Sequence, residues 1–166
     1  MAMTTSGTAT VTLPTDEQIL ITREFDAPKH LVYEAFTTPE LVKRWWSARR
    51  GVVTVAEIDL RVGGAWRYVM VSDGFEVGFH GEYREIVPNE LIVSTEVYEG
   101  LPDGVSEEEG ATLNTATFTE TDGRTTLTIL VQAANKVSRD AIIDSGMEAG
   151  MQDAMDLLEE IAVSLR

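Results

Sequence analysis

The C-terminal segment, from Ser138 to Arg166, carries one continuous apolar stripe at helical spacing. Ser138 is a suitable N-cap for such a helix. At 1.5 Å per residue the helix would be about 42 Å long, whereas a compact chain of this size has a radius of gyration of about 15 Å. It would therefore span the molecule, and the rest of the chain must cover its stripe. The stripe consists of Ile143, Met147, Met151, Ala154, Met155, Leu158, Ile161, Ala162 and Leu165.

The covering layer is predicted from residues 51 to 132, where the sequence changes to strands and tight turns. Asp-Gly pairs at 73–74 and 122–123 favour two-residue hairpins, which predicts an antiparallel meander. The acidic segment 99–110 is predicted to be a mobile, solvated loop. The strand candidates, rich in β-branched and aromatic residues, are 52–60, 65–71, 75–87, 91–98, 111–120 and 125–132.

Upstream, residues 1–14 are predicted to be a disordered tail and residues 15–166 a single domain. Alternation predicts a strand over 17–25, followed by a helix with Asp26 near its cap and Pro28 in its first turn. Thr38-Pro39-Glu40 starts a second short helix. The predicted fold class is α+β: a curved antiparallel sheet wrapped on the long C-terminal helix, with two short helices closing one end. Such a sheet can enclose a cavity.

Composition excludes several kinds of site and partner. The chain has no cysteine and two histidines, so we expect no disulfide, no thiolate nucleophile, no preformed metal site and no cofactor. A net charge of −15 argues against nucleic acid and anionic membranes as partners. The N-terminal segment lacks the features of a secretory signal, and no apolar run approaches the ~18 residues that span a bilayer. We expect a cytoplasmic monomer or homodimer.

Four segments resemble the START-like (SRPBCC) superfamily, and within it the family of homologues of the activator of heat-shock chaperone ATPase. The resemblance covers residues 17–165 and implies a helix-grip fold with a cavity between the sheet and the terminal helix. In that family the helix usually carries Gly-Trp where this chain has Gly150-Met151, so a rigid wall is replaced by a flexible one. The segments are ITREFDAPKHLVYEAFTTPELVKRWW, DLRVGGAWRYVM, FHGEYREIVPNELIVST and EAGMQDAMDLLEEIA.

Aromatic and methionine side chains are the candidates for ligand binding. Neighbours on a helix point about 100° apart, so we expect Trp45 to pack in the core and Trp46 to border a site or lie exposed. The methionines recur every four residues, either as core filler or as an adaptable cavity wall. Trp66 is expected to pack in the core. The predicted ligand-binding residues are Trp45, Trp46, Trp66, Tyr68, Phe79, Tyr83, Met147, Met151 and Met155.

Polar candidates are fewer, and no catalytic residue is predicted. Alternation places Phe79 and Tyr83 on the inner face of their strand, which leaves His80 and Glu82 outside as surface neighbours rather than an acid–base pair. Threonines at 115, 117 and 119 share one strand face and are either cavity donors or exposed residues.

The leading functional prediction is a non-catalytic binder of a small apolar or amphipathic molecule in the cavity between sheet and helix. Relatives with this fold bind lipids, sterols, polyketides or plant hormones, and some catalyse cyclisation or hydration. An enzyme alternative in the same cavity needs an inward titratable residue with a perturbed pKa, which alternation does not provide. A third alternative is an interaction module that regulates a chaperone or another protein through its surface.

Overall fold

The computed structural model describes residues 8–101 and 103–166. One eight-stranded antiparallel sheet, in the order β1-β2-β8-β7-β6-β5-β4-β3, curves over the C-terminal helix. The predicted α+β helix-grip class is confirmed. The elements in chain order are β1 (Thr10–Thr12), β2 (Gln18–Phe25), α1 (Lys29–Thr37), α2 (Pro39–Trp45), β3 (Val52–Ile58), β4 (Ala65–Ser72), β5 (Phe75–Val87), β6 (Leu91–Tyr98), α3 (Glu107–Gly110), β7 (Thr112–Thr121), β8 (Arg124–Gln132), α4 (Lys136–Asp144) and α5 (Met147–Ser164).

The two Asp-Gly turns set the register of their hairpins. Asp73 and Gly74 both have positive φ, 51° and 82°, and join β4 to β5. Asp122 and Gly123, at 53° and 78°, join β7 to β8. Turns with two such residues match the twist of antiparallel strands, so the predicted hairpins form.

The N-terminal segment differs from its prediction. Residues 10–12 are not a disordered tail but an edge strand, with Val11 opposite Ile21 of β2. The backbone of Ala9 is also held, because Gln152 of α5 accepts from its amide at 2.9 Å and donates to its carbonyl at 2.8 Å. The β-branched residues of β1 extend the sheet at low cost. Residues 1–7 of the predicted tail lie outside the described residues.

The single long helix predicted from Ser138 is wrong. The chain forms α4, capped by the Asn135 side chain, which accepts from the Ser138 amide at 2.8 Å, and then the separate helix α5. Gly146 interrupts the helix, because its φ of 81° is a conformation that a continuous right-handed helix does not allow. Of the helices in the described ranges, none combines the length and apolar character needed to cross a membrane.

The core lies between the inner face of the sheet and helices α1, α2 and α5. From α5 it takes Met155, Leu158, Ile161 and Ala162, so the apolar stripe is covered as the sequence requires. A charged group is also buried here: Arg23 of β2 is 1% exposed. Its guanidinium pairs with Asp156 at 3.1 Å and Glu159 at 2.8 Å, which ties β2 to α5.

Candidate ligand-binding site

Strand register identifies the side chains on the inner face of the sheet, because directly opposite residues point to the same side. Trp66 lies opposite Gly81, and Tyr68 lies opposite Phe79. Tyr83 lies opposite Ser94 of β6. Trp66 and Tyr83 are buried in the core, whereas Tyr68 and Phe79 are partly buried and pack against it. The four aromatic candidates of β4 and β5 therefore share the face that alternation predicted.

The adjacent tryptophans separate as helix geometry requires. Trp45 is 8% exposed, and its indole nitrogen donates to the Ala35 carbonyl at 2.9 Å. Its ring also stacks on Phe36, with ring centres 5.7 Å apart. Trp45 therefore joins α1 to α2 within the core.

Trp46, at the C-terminal end of α2, is half-buried and turns towards the sheet. Its ring meets Tyr68 edge-on at 5.5 Å and Phe79 edge-on at 5.8 Å. Trp66 extends this group, since its ring lies 4.8 Å from Tyr68. The structure thus brings together four of the candidate residues, Trp46, Trp66, Tyr68 and Phe79, which we call the aromatic cluster.

The methionines of α5 differ in how deeply they are buried. Met155 is buried in the core, at 6% exposure. Met147 and Met151 are half-buried and pack against the margin of the core, nearer the start of the helix. A Cβ added at Gly150 would meet no atom within 4 Å, so the helix is loosely surrounded beside Met151.

Sequence reasoning missed a carboxylate on the inner face. Glu96 of β6 lies opposite Thr112, in register with Ser94–Asn114 and with the core pair Ile92–Ala116. Asn114 donates from Nδ2 to Glu96 Oε1 at 3.3 Å, and Thr112 donates to Asn114 Oδ1 at 2.9 Å. These three side chains form an ordered chain of hydrogen bonds, which we call the polar relay.

Burial dominates the electrostatics of this inner face. It raises the pKa of Glu96, and the hydrogen bond from Asn114 opposes it only in part. Burial also raises the pKa of Tyr68 well above its usual value, with smaller contributions from Tyr83 and Glu96. Burial likewise raises the pKa of Tyr83. Burial is thus the main influence on the pKa of all three groups, and it acts in the same direction on each.

The remaining polar candidates lie outside. His80 is 38% exposed and bonds Glu99 through Nδ1 at 2.9 Å and Glu107 through Nε2 at 3.0 Å. Glu82 is exposed and pairs with Arg84 at 3.1 Å. The outward orientation predicted for both is confirmed. Glu107 belongs to the short helix α3, so the acidic segment predicted to be a mobile loop contains ordered structure held to β5.

The threonines of β7 lie on the outer face of the sheet, not on the face that would line a cavity. Ala116 and Phe118 are the buried residues of this strand, and the intervening threonines alternate with them. Thr117 lies opposite Thr128 and Thr119 opposite Thr126, on the outer face. They are not donors within the predicted cavity.

One pocket of about 450 Å³ lies over β3, β4 and β5. Its lining includes Glu57, Arg67 and His80 of the outer face, and also Trp66 and Gly81, but no residue of α5. It is therefore not the space between sheet and helix that the sequence predicts. Within the described ranges, no three His, Cys, Asp or Glu side chains gather closely enough to hold a metal ion.

The sequence and the fold agree with a known family. The family model described as Activator of Hsp90 ATPase homolog 1-like protein matches residues 26–162, so the chain belongs to this family. The resemblance drawn from the four sequence segments is thereby confirmed. No curated protein matches the chain.

Solved structures share the whole fold. A crystal structure of a protein from Rhodobacter sphaeroides has a TM-score of 0.84 at 25% identity and covers 96% of this chain and 100% of its own. A solution structure from Arthrobacter aurescens has a TM-score of 0.81 at 22% identity, covering 93% and 91%. A crystal structure from Mycobacterium smegmatis has a TM-score of 0.81 at 24% identity, covering 93% and 96%.

Proposed function

We propose that the protein binds a small apolar or amphipathic molecule between the inner face of the sheet and α5. The aromatic cluster would form one wall, and Met147 and Met151 the opposite, adaptable wall. Edge-on aromatic rings and flexible thioethers can adjust to an apolar guest without exposing backbone groups. A small number of polar groups would then orient the guest.

One observation carries this proposal. Tyr68 and Glu96 lie deep enough for burial to raise both pKa values, yet each side chain keeps accessible surface. Side chains that are enclosed by protein and still partly accessible are those expected to line the proposed space. Phe79 and Trp46, which are half-buried and on the same side, support the same conclusion.

Glu96 also favours the enzyme alternative as a second candidate. A cyclase- or hydratase-like activity in this space needs an inward titratable group with a perturbed pKa, and burial raises the pKa of the Glu96 carboxyl group. The chaperone-regulating alternative stays a proposal, and it gains weight if ligand screening fails.

The test is native mass spectrometry of the purified protein, followed by a screen of lipids and aromatic compounds read by tryptophan fluorescence. Native masses also distinguish the two predicted states, a monomer and a homodimer. We expect a co-purified or saturably bound compound whose binding is lost in Trp46→Ala, which opens the aromatic cluster, and in Met151→Trp, which fills the space. Phe75→Ala is the matched control, because Phe75 is 74% exposed at the β4–β5 turn.

Two results would contradict the ligand-binding proposal. If no bound mass is found and no compound changes the fluorescence of the folded protein, the ligand-binding proposal fails. Loss of binding in Phe75→Ala to the same extent as in Trp46→Ala would also contradict it, because the response would then not come from the inner face.

A further inference from the structure

The polar relay ends at Glu96, and we call the part of the proposed binding site around Glu96 its polar end. Thr112 donates to Asn114, and Asn114 donates to Glu96 Oε1. Within the described residues, the other carboxylate oxygen, Oε2, makes no hydrogen bond, and neither does the Tyr68 hydroxyl. Glu96 and Tyr68 both lie on the inner face of the sheet, on the two strands that flank β5. Both are free to bond a guest that reaches between them.

Within the described residues, the polar end of the site carries a carboxyl group that has no positively charged partner. Within the described ranges, Glu96 forms no ion pair with a lysine, arginine or histidine, and Asn114 is its side-chain partner. Arg23, which is 1% exposed, is engaged by Asp156 and Glu159. An anionic guest would therefore enter without a counter-ion and beside a group that itself becomes negative.

We propose that this end of the site accepts ligands whose polar group is uncharged, such as an alcohol, a ketone or a phenol, and discriminates against carboxylates. The inference rests on the proposed function, since it specifies the ligand class of the same site. An alcohol or phenol can donate a hydrogen bond to the free Glu96 oxygen, and a ketone can accept one from the Tyr68 hydroxyl. A ligand carboxylate near Glu96 would instead meet like-charge repulsion in a poorly solvated environment.

Two matched probe pairs test this directly: 1-decanol against decanoate, and 2-acetylnaphthalene against 2-naphthoate. Each pair keeps the apolar body and changes only the head group. Binding is read from the indole N–H signals in ¹H–¹⁵N spectra of the full chain, because Trp46 and Trp66 lie in the aromatic cluster. We expect the neutral member of at least one pair to bind about tenfold tighter or more, equivalent to one pKa unit of interaction.

Substituting Glu96 tests whether this residue causes the preference for neutral over anionic probes. Glu96→Gln keeps the shape and the bond from Asn114 but cannot ionise, so the ratio of affinities should fall towards unity at pH 8. Glu85→Gln removes the same charge from an exposed position on β5 and should leave the ratio unchanged. A second measurement needs no variant: the carboxyl ¹³C titration of Glu96 should move to higher pH when the anionic probe is bound.

The possible outcomes separate the two proposals. If no member of either pair shifts the indole signals, binding of these apolar bodies, and with it the proposed function, is overturned. If the probes bind but the carboxylates bind as tightly as their neutral partners, only the ligand-class inference is overturned. The same holds if Glu96→Gln leaves the ratio unchanged, or if bound anion does not move the Glu96 titration.

Discussion

The indole nitrogen of Trp66 donates a 3.1 Å hydrogen bond to the carbonyl oxygen of Thr95, two strands away. The indole reaches from β4 to β6 by passing over Gly81 of β5. The hydroxyl of Thr95 is engaged as well, because it accepts from the Glu82 amide at 2.9 Å. Side chains thus take part in the bonding between β5 and β6 beside the proposed site.

Gly81→Ala should destabilise the protein strongly. The added Cβ would collide with the Thr95 carbonyl and with the Trp66 indole nitrogen, and the backbone partner cannot move without opening the sheet. We expect a loss of about 1–3 kcal/mol, typical of overpacking, measured by urea unfolding. Gly150→Ala is the control: its Cβ meets open space in a helix, which should raise stability by up to ~1 kcal/mol. Equal unfolding midpoints for both variants would contradict the prediction.

The neighbouring tryptophans should respond differently to truncation. Trp45→Ala removes a buried ring, its hydrogen bond to Ala35 and its stacking on Phe36, so we expect a loss of about 3–5 kcal/mol. Trp46→Ala removes a half-buried ring with two edge-on contacts, so its stability loss should be clearly smaller. Thermal unfolding of the two variants decides the question. A larger loss for Trp46→Ala would show that Trp46 is a core residue.

The fold could be predicted because its signals are local and agree with one another. The predicted bounds of β5 and β6 coincide with the observed ones, since alternation there is bounded by turn residues. The break before α5 could not be seen, because the apolar stripe continues with helical spacing on both sides of Gly146. Only the φ of 81° reveals that the chain changes direction there.

The site could be predicted only on its apolar side. Alternation placed Phe79 on the inner face because it shares the apolar face of its strand, and Tyr68 there because it alternates with Trp66. Alternation could not identify Glu96. In the strand LIVSTEVY, Val93 and Val97 lie on the opposite face from Glu96, and these apolar residues point outward. An inward carboxylate on a strand with an apolar outer face needs the cross-strand register before it can be recognised.

Arg23 should be the charged residue on which stability depends most. Arg23→Met removes a guanidinium that is 1% exposed and bonded to α5, and it leaves Glu159 and Asp156 without their cation. Breaking such a buried pair costs on the order of 3 kcal/mol. Arg84→Met is the control, because its pair with Glu82 is exposed and worth at most about 1 kcal/mol. If urea unfolding gives the two variants the same stability, the role assigned to Arg23 is wrong.

His80 should hold α3 to the sheet in a manner that depends on pH. Only the doubly protonated imidazole can donate to both Glu99 and Glu107. The hydrogen bond to Glu99 is the main reason why the pKa of His80 is raised above 6.5; burial opposes this rise, and Glu107 adds to it. Arg67 in turn donates to both oxygens of Glu99 at 2.9 Å and is the main cause that lowers the Glu99 pKa to about 2.

The direction of the pH effect follows from the raised pKa. Because the folded state binds the His80 proton more tightly than the unfolded state, the stabilisation is complete below about pH 6.5 and is lost as pH rises through the folded-state pKa. We expect the His80 ring signals in NMR to titrate above pH 6.5. Glu99→Gln should lower this midpoint more than Glu107→Gln, while Glu108→Gln, a neighbouring exposed residue, should lower it least. A midpoint at or below 6.5, or equal effects of the three variants, would show that His80 does not join α3 to β5.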